Sequence, residues 1–138
     1  MIGIDPGTNT GVAVWDKREG KLIEVRTTSI HKALFDVEFS IQVFGDKGVL
    51  IRCENPNTWK PHKGTDRHDV SKLQGAGSIK RDFAIWRDFA KDLGIDFEGV
   101  NLHSSLKKLS DYNFRRMTGW DMRTSEHARD AAMLCFGY

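Results

Sequence analysis

The chain has 138 residues, of which 39% are hydrophobic and 29% charged, and its formal net charge is +2. These values predict one folded domain spanning residues 1–138 and exclude a disordered chain. No stretch of the sequence approaches the roughly 20 apolar residues of a membrane span. Because the first residues show no basic segment followed by an apolar one, we expect no secretory signal. Since Cys53 and Cys135 are the only cysteines, we expect neither a disulfide framework nor a zinc knuckle, and a cytoplasmic protein with reduced thiols.

The first part of the chain is predicted to form four strands and one helix. Apolar runs bounded by turn residues indicate the strands, and apolar residues spaced three and four apart indicate the helix. The first strand ends at Asp5, and a polar loop joins the second and third strands as a hairpin. The predicted strands are residues 1–5, 10–15, 21–28 and 48–53, and the predicted helix is residues 30–44.

The remainder is predicted to be mostly helical. Residues 55–67 form a loop, because prolines, asparagines and a glycine interrupt any period. Gly75 and Gly77 lie inside the predicted long helix, where each costs about 1 kcal/mol relative to alanine, and close approach of another backbone would explain them. The predicted elements are a helix at 69–93, a strand at 99–103, one or two short helices within 105–118, and a last helix from Thr124 or Ser125 toward Phe136.

This order of elements predicts an α/β fold. An opening hairpin followed by alternating strands and helices indicates a mixed sheet with helices packed on it. The strands at 1–5 and 48–53 are then parallel neighbours, which puts Asp5 and Glu54 at matching ends. In open α/β sheets, functional sites lie at that end of the strands.

Basic residues are concentrated in two blocks of the sequence. Residues 56–91 carry eight Lys or Arg against four Asp or Glu, and residues 101–129 carry six against three. A polarised surface of this kind suits a polyanion such as nucleic acid. Two solvated helix faces would produce the same pattern.

Three carboxylates and one histidine are candidates for a metal site. Asp5 and Glu54 end neighbouring strands, and His127 and Asp130 share one face of the last helix because they are three residues apart. Without a cation, bringing these carboxylates together would cost free energy, because like charges repel each other and burial removes their hydration. Together with the imidazole they are suited to one or two divalent ions, which activate water and stabilise a phosphoryl displacement.

Each of these residues also has a purely structural interpretation. An aspartate before Pro-Gly is often a turn former, and a glutamate at a strand end is usually solvated. His127 and Asp130 are equally consistent with a surface pair on a helix. The combination and its order along the chain favour the functional interpretation.

Four short motifs are spread over nearly the whole chain. They are the run from Met1 to Gly11 (MIGIDPGTNTG), Cys53-Glu54, the run from Lys72 to Gly77 (KLQGAG) and the run from His127 to Ala132 (HARDAA). In these motifs and in their order, the sequence resembles RuvC-type Holliday-junction resolvases, which belong to the RNase H-like nucleases.

The resemblance implies an RNase H-like fold, a homodimer and a role in DNA recombination and repair. It further implies an Mg²⁺- or Mn²⁺-dependent endonuclease, with two ions in each active site, that resolves four-way DNA junctions by paired nicks. The metal ligands carried over are Asp5, Glu54, His127 and Asp130. Lys107 and Lys108 fall where the family has basic residues near the phosphate backbone, although ordinary solvated lysines fit those positions as well.

The segment after Glu54 departs from the family pattern. It is longer and more polar than usual, which indicates a divergent, phage-type member and leaves junction specificity more open than nuclease chemistry. Trp59 is a candidate wedge that stacks on a base, or alternatively a tryptophan that caps the core. Lys60, Lys63 and Arg67 of the same loop are predicted to contact DNA phosphates.

Other functions fit parts of the sequence. Asp5-Pro6-Gly7-Thr8-Asn9-Thr10-Gly11 also resembles the phosphate loop of actin-like ATPases and sugar kinases, but those proteins use two domains of this fold. A YqgF-like nuclease acting on ribosomal RNA precursors has a similar size, although its usual motifs after the second acidic residue are not visible. A non-catalytic nucleic-acid-binding module is the third alternative, and the four competent ligand residues argue against it.

Overall fold

The computed structural model describes residues 1–45, 47–56 and 70–138, with residue 44 and residues 70–74 and 76 described by backbone alone. The described residues form five strands and four helices. In chain order these are β1 (Ile2–Asp5), β2 (Asn9–Asp16), β3 (Lys21–Ser29), α1 (Ile30–Phe44), β4 (Leu50–Glu54), α2 (Val70–Asp92), β5 (Asp96–Val100), α3 (Asp111–Thr118) and α4 (Glu126–Cys135).

The strands form one mixed sheet in the order β3-β2-β1-β4-β5. The pairs β1–β2 and β2–β3 are antiparallel, whereas β4 is parallel to both β1 and β5. The predicted α/β fold class, a mixed sheet with helices packed on it, is confirmed. The parallel pairing of β1 with β4 is confirmed as well, with Ile4 opposite Cys53.

Each face of the sheet has its own hydrophobic core. On one face, α1 and α2 cover alternate residues of β1, β2 and β4, with Trp86 fully buried at the centre. On the other face, α3 and α4 cover the remaining positions, and Phe114 of α3 is fully buried there. Complete burial of such a side chain stabilises the fold by about 1.5–3 kcal/mol.

The helices predicted at 30–44 and 69–93 are observed as α1 and α2, and each buries one face. In α1, Val37 and Ile41 are buried, and in α2 Phe83, Trp86 and Ala90 are buried. The close backbone approach expected at the two glycines of α2 is not observed among the described residues. Both Gly75 and Gly77 are exposed, and a Cβ added to either would meet nothing within 4 Å. Close approach within the described part of this chain therefore does not explain them.

The position of the fifth strand was predicted wrongly. It spans Asp96–Val100, three residues earlier than the predicted 99–103. Gly94 adopts a left-handed φ of +68° directly after α2 and turns the chain into β5 within two residues. Since β5 is an edge strand, three of its five residues are exposed, and the apolar pattern that marks inner strands is missing.

The region 105–118 contains one short helix, in agreement with the prediction of one or two. Residues 104–108 form turns, and α3 begins only at Asp111, where the side chain of Ser110 accepts a hydrogen bond from the N–H of Asn113. In the last helix, Ser125 acts as the N-cap and accepts from the N–H of Ala128 at 3.1 Å. None of the helices in the described ranges is long and apolar enough to cross a membrane.

Candidate functional site

Asp5 and Glu54 lie side by side at the carboxyl ends of two parallel strands. The register that pairs Ile4 with Cys53 brings the next residue of each strand to the same edge. Asp5 is buried, with its side chain only 12% exposed, and the side chain of Glu54 is 22% exposed. Two acidic groups at this sheet edge are thus withdrawn from much of the water that would normally solvate them.

Helix α4 packs directly on the sheet beside these carboxylates. A Cβ on Gly11 would lie 2.0 Å from the backbone oxygen of His127, and one on Gly3 would lie 2.0 Å from that of Ala131. No side chain fits at either contact, so the helix backbone rests on the strand backbone. This close approach brings His127 and Asp130 to the edge of the sheet that holds Asp5.

His127 contacts Asp5 directly. Its Nδ1 lies 2.8 Å from Oδ2 of Asp5 and donates a hydrogen bond to the ionised carboxylate. The histidine side chain is 53% exposed, so its remaining nitrogen has access to solvent. A carboxylate that binds one imidazole nitrogen orients the other, which is a common arrangement around metal-binding histidines.

The two predicted lysines lie at the same site. The ammonium group of Lys107 contacts Oε1 of Glu54 at 2.5 Å. Lys108 contributes its backbone N–H, which donates to Oδ1 of Asp130 at 2.8 Å, while its side chain pairs with Glu126 at 3.2 Å. Lys108 has a φ of +53°, a strained conformation for a residue with a side chain, and such strain persists where surrounding contacts impose it.

Burial dominates the electrostatics of the site. Desolvation raises the pKa of Asp5 to about 6; the hydrogen bond from His127 opposes this shift, and the charges of Glu54 and Asp130 add to it. Desolvation also raises the pKa of Asp130, against the hydrogen bond from the Lys108 N–H. Burial therefore disfavours the ionised form of both carboxylates.

The donor set fits a divalent cation by its chemistry, since it combines three carboxylates with an imidazole. In the described part of the chain, no group of three or more His, Cys, Asp or Glu side chains is arranged to hold an ion. The side chains of Glu54 and His127 are instead turned to Lys107 and Asp5.

Both cysteines are free and buried. Cys53 lies on β4 immediately before Glu54, and desolvation, reinforced by the charges of Asp5 and Glu54, raises its pKa. Desolvation likewise raises the pKa of the Cys135 thiol to about 12. Neither thiol is a candidate nucleophile or metal ligand, because thiolates perform those roles.

Of the predicted site residues, six are brought together: Asp5, Glu54, Lys107, Lys108, His127 and Asp130. The other four lie outside the described residues. These are Trp59, Lys60, Lys63 and Arg67, and their proposed DNA contacts stay predictions.

Sequence reasoning missed the residues that position the site. The Nε of Arg129 donates a hydrogen bond to the backbone oxygen of Leu109 at 2.7 Å, which connects α4 to the segment carrying Lys107 and Lys108. Its Nη1 donates to the backbone oxygen of Thr124 at 2.9 Å. Gly3 could have been recognised from the sequence, because a glycine inside an apolar strand often marks close backbone approach.

A comparison with models of known families and a search of curated proteins found no match for this chain.

Proposed function

We propose that this protein is a metal-dependent endonuclease that resolves four-way DNA junctions by paired nicks. The observation that carries the proposal is the convergence of Asp5, Glu54, His127 and Asp130 at one sheet edge, with Lys107 beside them. The resemblance of the four sequence motifs to RuvC-type resolvases supplies the choice of substrate.

The residues that would hold Mg²⁺ or Mn²⁺ are Asp5, Glu54, His127 and Asp130. Bound there, a pair of ions would activate water and stabilise the charge of a phosphodiester undergoing in-line displacement. The raised pKa values of Asp5 and Asp130 support this assignment, because a nearby cation would favour both ionised carboxylates.

Lys107 has a part in binding the substrate. The Lys107 side chain is 43% exposed and its ammonium group contacts Glu54, so this residue lies at the boundary between the acidic cluster and solvent. A phosphate approaching the cluster would meet this charge first. Lys107 then exchanges its contact with Glu54 for one with a phosphate oxygen, which frees the carboxylate.

The proposed substrate has two strands to be cut, related by approximate twofold symmetry. A homodimer with C2 symmetry places one acidic cluster at each strand. We therefore propose that the active form is a dimer.

The decisive experiment compares nucleic-acid substrates in the presence of Mg²⁺ or Mn²⁺. Labelled four-way DNA, linear duplex DNA and structured RNA are incubated with the wild-type protein. Symmetric paired nicks in the four-way DNA alone support the proposal. Cleavage of RNA alone favours the YqgF-like alternative, and binding without any cleavage favours the non-catalytic module.

Variants of the acidic cluster test the residue assignment. Asp5→Asn and Glu54→Gln should each abolish cleavage while binding to the junction survives, because affinity rests mainly on Lys and Arg contacts with phosphates. Asp88→Asn and Glu19→Gln are matched controls, since they make the same chemical changes at exposed carboxylates outside the site. Cleavage by Asp5→Asn at the wild-type rate would refute the assignment.

A further inference from the structure

Helix α3 exposes Tyr112, Asn113, Arg116 and Met117, whereas its Phe114 is buried. A shallow, open groove of about 350 Å³ lies against this helix and is lined by Leu109, Asn113, Arg116 and Met117.

The groove adjoins the candidate site through the backbone. Leu109, which lines it, follows Lys108, whose N–H donates to Asp130. The backbone oxygen of Leu109 accepts from Arg129 of α4 at 2.7 Å. A ligand in the groove would therefore lie next to the segment that contacts Asp130.

The lining combines apolar walls with two polar groups. Leu109 and Met117 provide apolar surface, and the side-chain amide of Asn113 both donates and accepts hydrogen bonds. Arg116 makes no ion pair or hydrogen bond with any of the residues the structure describes, whereas the neighbouring Arg115 is held by Asp111 at 2.7 Å. Arg116 thus presents an uncompensated positive charge at the groove.

We propose that this groove binds an unpaired nucleotide of branched DNA next to the phosphate to be cut. The base packs against Leu109 and Met117 with its polar edge at Asn113, and Arg116 binds the adjoining phosphate. The charge complementarity between Arg116 and a phosphate, beside apolar walls that suit a flat ring, selects a nucleotide over an uncharged ligand. This inference rests on the proposed function, and it adds a site that distinguishes branched from fully paired DNA.

Fluorescence anisotropy without divalent metal tests the groove. The two probes are a labelled four-way DNA with two unpaired thymidines at the branch point and a linear duplex of equal length. Asn113→Ala and Met117→Ala should each weaken binding to the first probe about 2- to 10-fold, as expected for loss of one hydrogen-bonding or apolar contact with the base, and leave duplex binding nearly unchanged. Arg116→Gln should weaken binding to both probes and make the slope of log affinity against log salt shallower by about 0.9.

Arg18→Gln is the matched control, because it removes the same charge from the exposed β2–β3 turn at the opposite end of β2 from Gly11. It should leave the preference for branched DNA unchanged. Equal losses on both probes for Asn113→Ala and Met117→Ala, or no loss on either, would overturn the groove assignment while leaving the proposed nuclease function standing. A wild-type protein that binds neither probe would overturn both.

Discussion

Among single residues, Asp5 makes the clearest prediction about stability. Its pKa in the folded protein is raised to about 6 from a usual value of 3.8, so the folded state holds its proton more tightly than the unfolded state. Folding stability contributed by this group is present at low pH and is lost as pH rises through 6. A two-unit shift corresponds to roughly 3 kcal/mol, and the loss falls mainly between pH 4 and pH 6.

Replacing Asp5 by asparagine should therefore stabilise the metal-free protein at pH 8 by roughly 1–3 kcal/mol, with a much smaller gain at pH 4. Urea denaturation of the wild type and Asp5→Asn in EDTA at both pH values measures this difference. Adding Mg²⁺ at pH 8 should reverse the order, because a ligand that binds only the folded wild type stabilises it. An equal stability difference at both pH values would mean that burial does not perturb Asp5.

The role of His127 is tested by a pair of substitutions. His127→Ala removes the contact with Asp5 and one proposed donor, so it should lose most of the cleavage activity. His127→Asp replaces the imidazole with a hard oxygen donor at the same helix position and should stay active with Mg²⁺. Without metal it should be less stable than the wild type, since it sets another carboxylate beside Asp5.

The matched control for His127 is His31→Ala, which removes an exposed histidine from α1. Cleavage rates in Mg²⁺ and denaturation midpoints in EDTA are the two measurements. Unchanged values of both for His127→Ala would show that the histidine is only a surface neighbour of the acidic cluster.

For the secondary-structure elements, the contact between α4 and the sheet decides whether the site forms. Small residues meet across it, with Gly3 and Gly11 on the strands and Ala128, Ala131 and Ala132 buried on the helix. Because each contact involves the helix backbone itself, a larger side chain cannot be accommodated by a change of rotamer. The distance between α4 and the sheet therefore determines how far His127 and Asp130 lie from Asp5.

Gly11→Ala and Gly75→Ala should have opposite effects on stability. At Gly11 the added methyl group meets the His127 backbone at 2.0 Å, so we expect a loss of about 2–3 kcal/mol or more as α4 is displaced. At Gly75 an added methyl group would meet no atom of the described residues within 4 Å, and the same change in an exposed helix should gain about 0.5–1 kcal/mol. Urea denaturation of both variants measures the effects, and a neutral Gly11→Ala would contradict the direct backbone contact.

At the scale of the whole molecule, the proposed reaction requires two copies of the site. Analytical ultracentrifugation of the free protein and of its complex with four-way DNA should show a dimer. Each protomer would supply its own Asp5, Glu54, His127 and Asp130, so mixing wild-type protein with Asp5→Asn should produce dimers that nick only one strand. A monomer in both states would argue for a simpler RNase H-like nuclease without paired cutting.

Much of the fold was predictable because it depends on local pattern. Apolar runs identified β1 to β4, and the spacing in residues 30–44 predicted α1 with its observed bounds. The neighbouring positions of Asp5 and Glu54 followed from the prediction that β1 and β4 are parallel. The hairpin returns β3 to the direction of β1, and the helix α1 then carries the chain back to begin β4 in that same direction. The edge strand β5 was misplaced because an edge strand buries little and so carries a weaker apolar pattern.

The sequence by itself determined which residues have the chemistry of the site and which strand ends carry them. The tertiary structure alone decided how they meet: that His127 contacts Asp5, that Lys107 contacts Glu54, and that the N–H of Lys108 reaches Asp130. The spacing of apolar residues along the sequence indicates which face of a helix or strand is buried. It does not indicate how closely that face packs against the neighbouring element. That packing distance depends on side-chain volumes from both surfaces at once, and here two glycines and a set of alanines on separate elements set it.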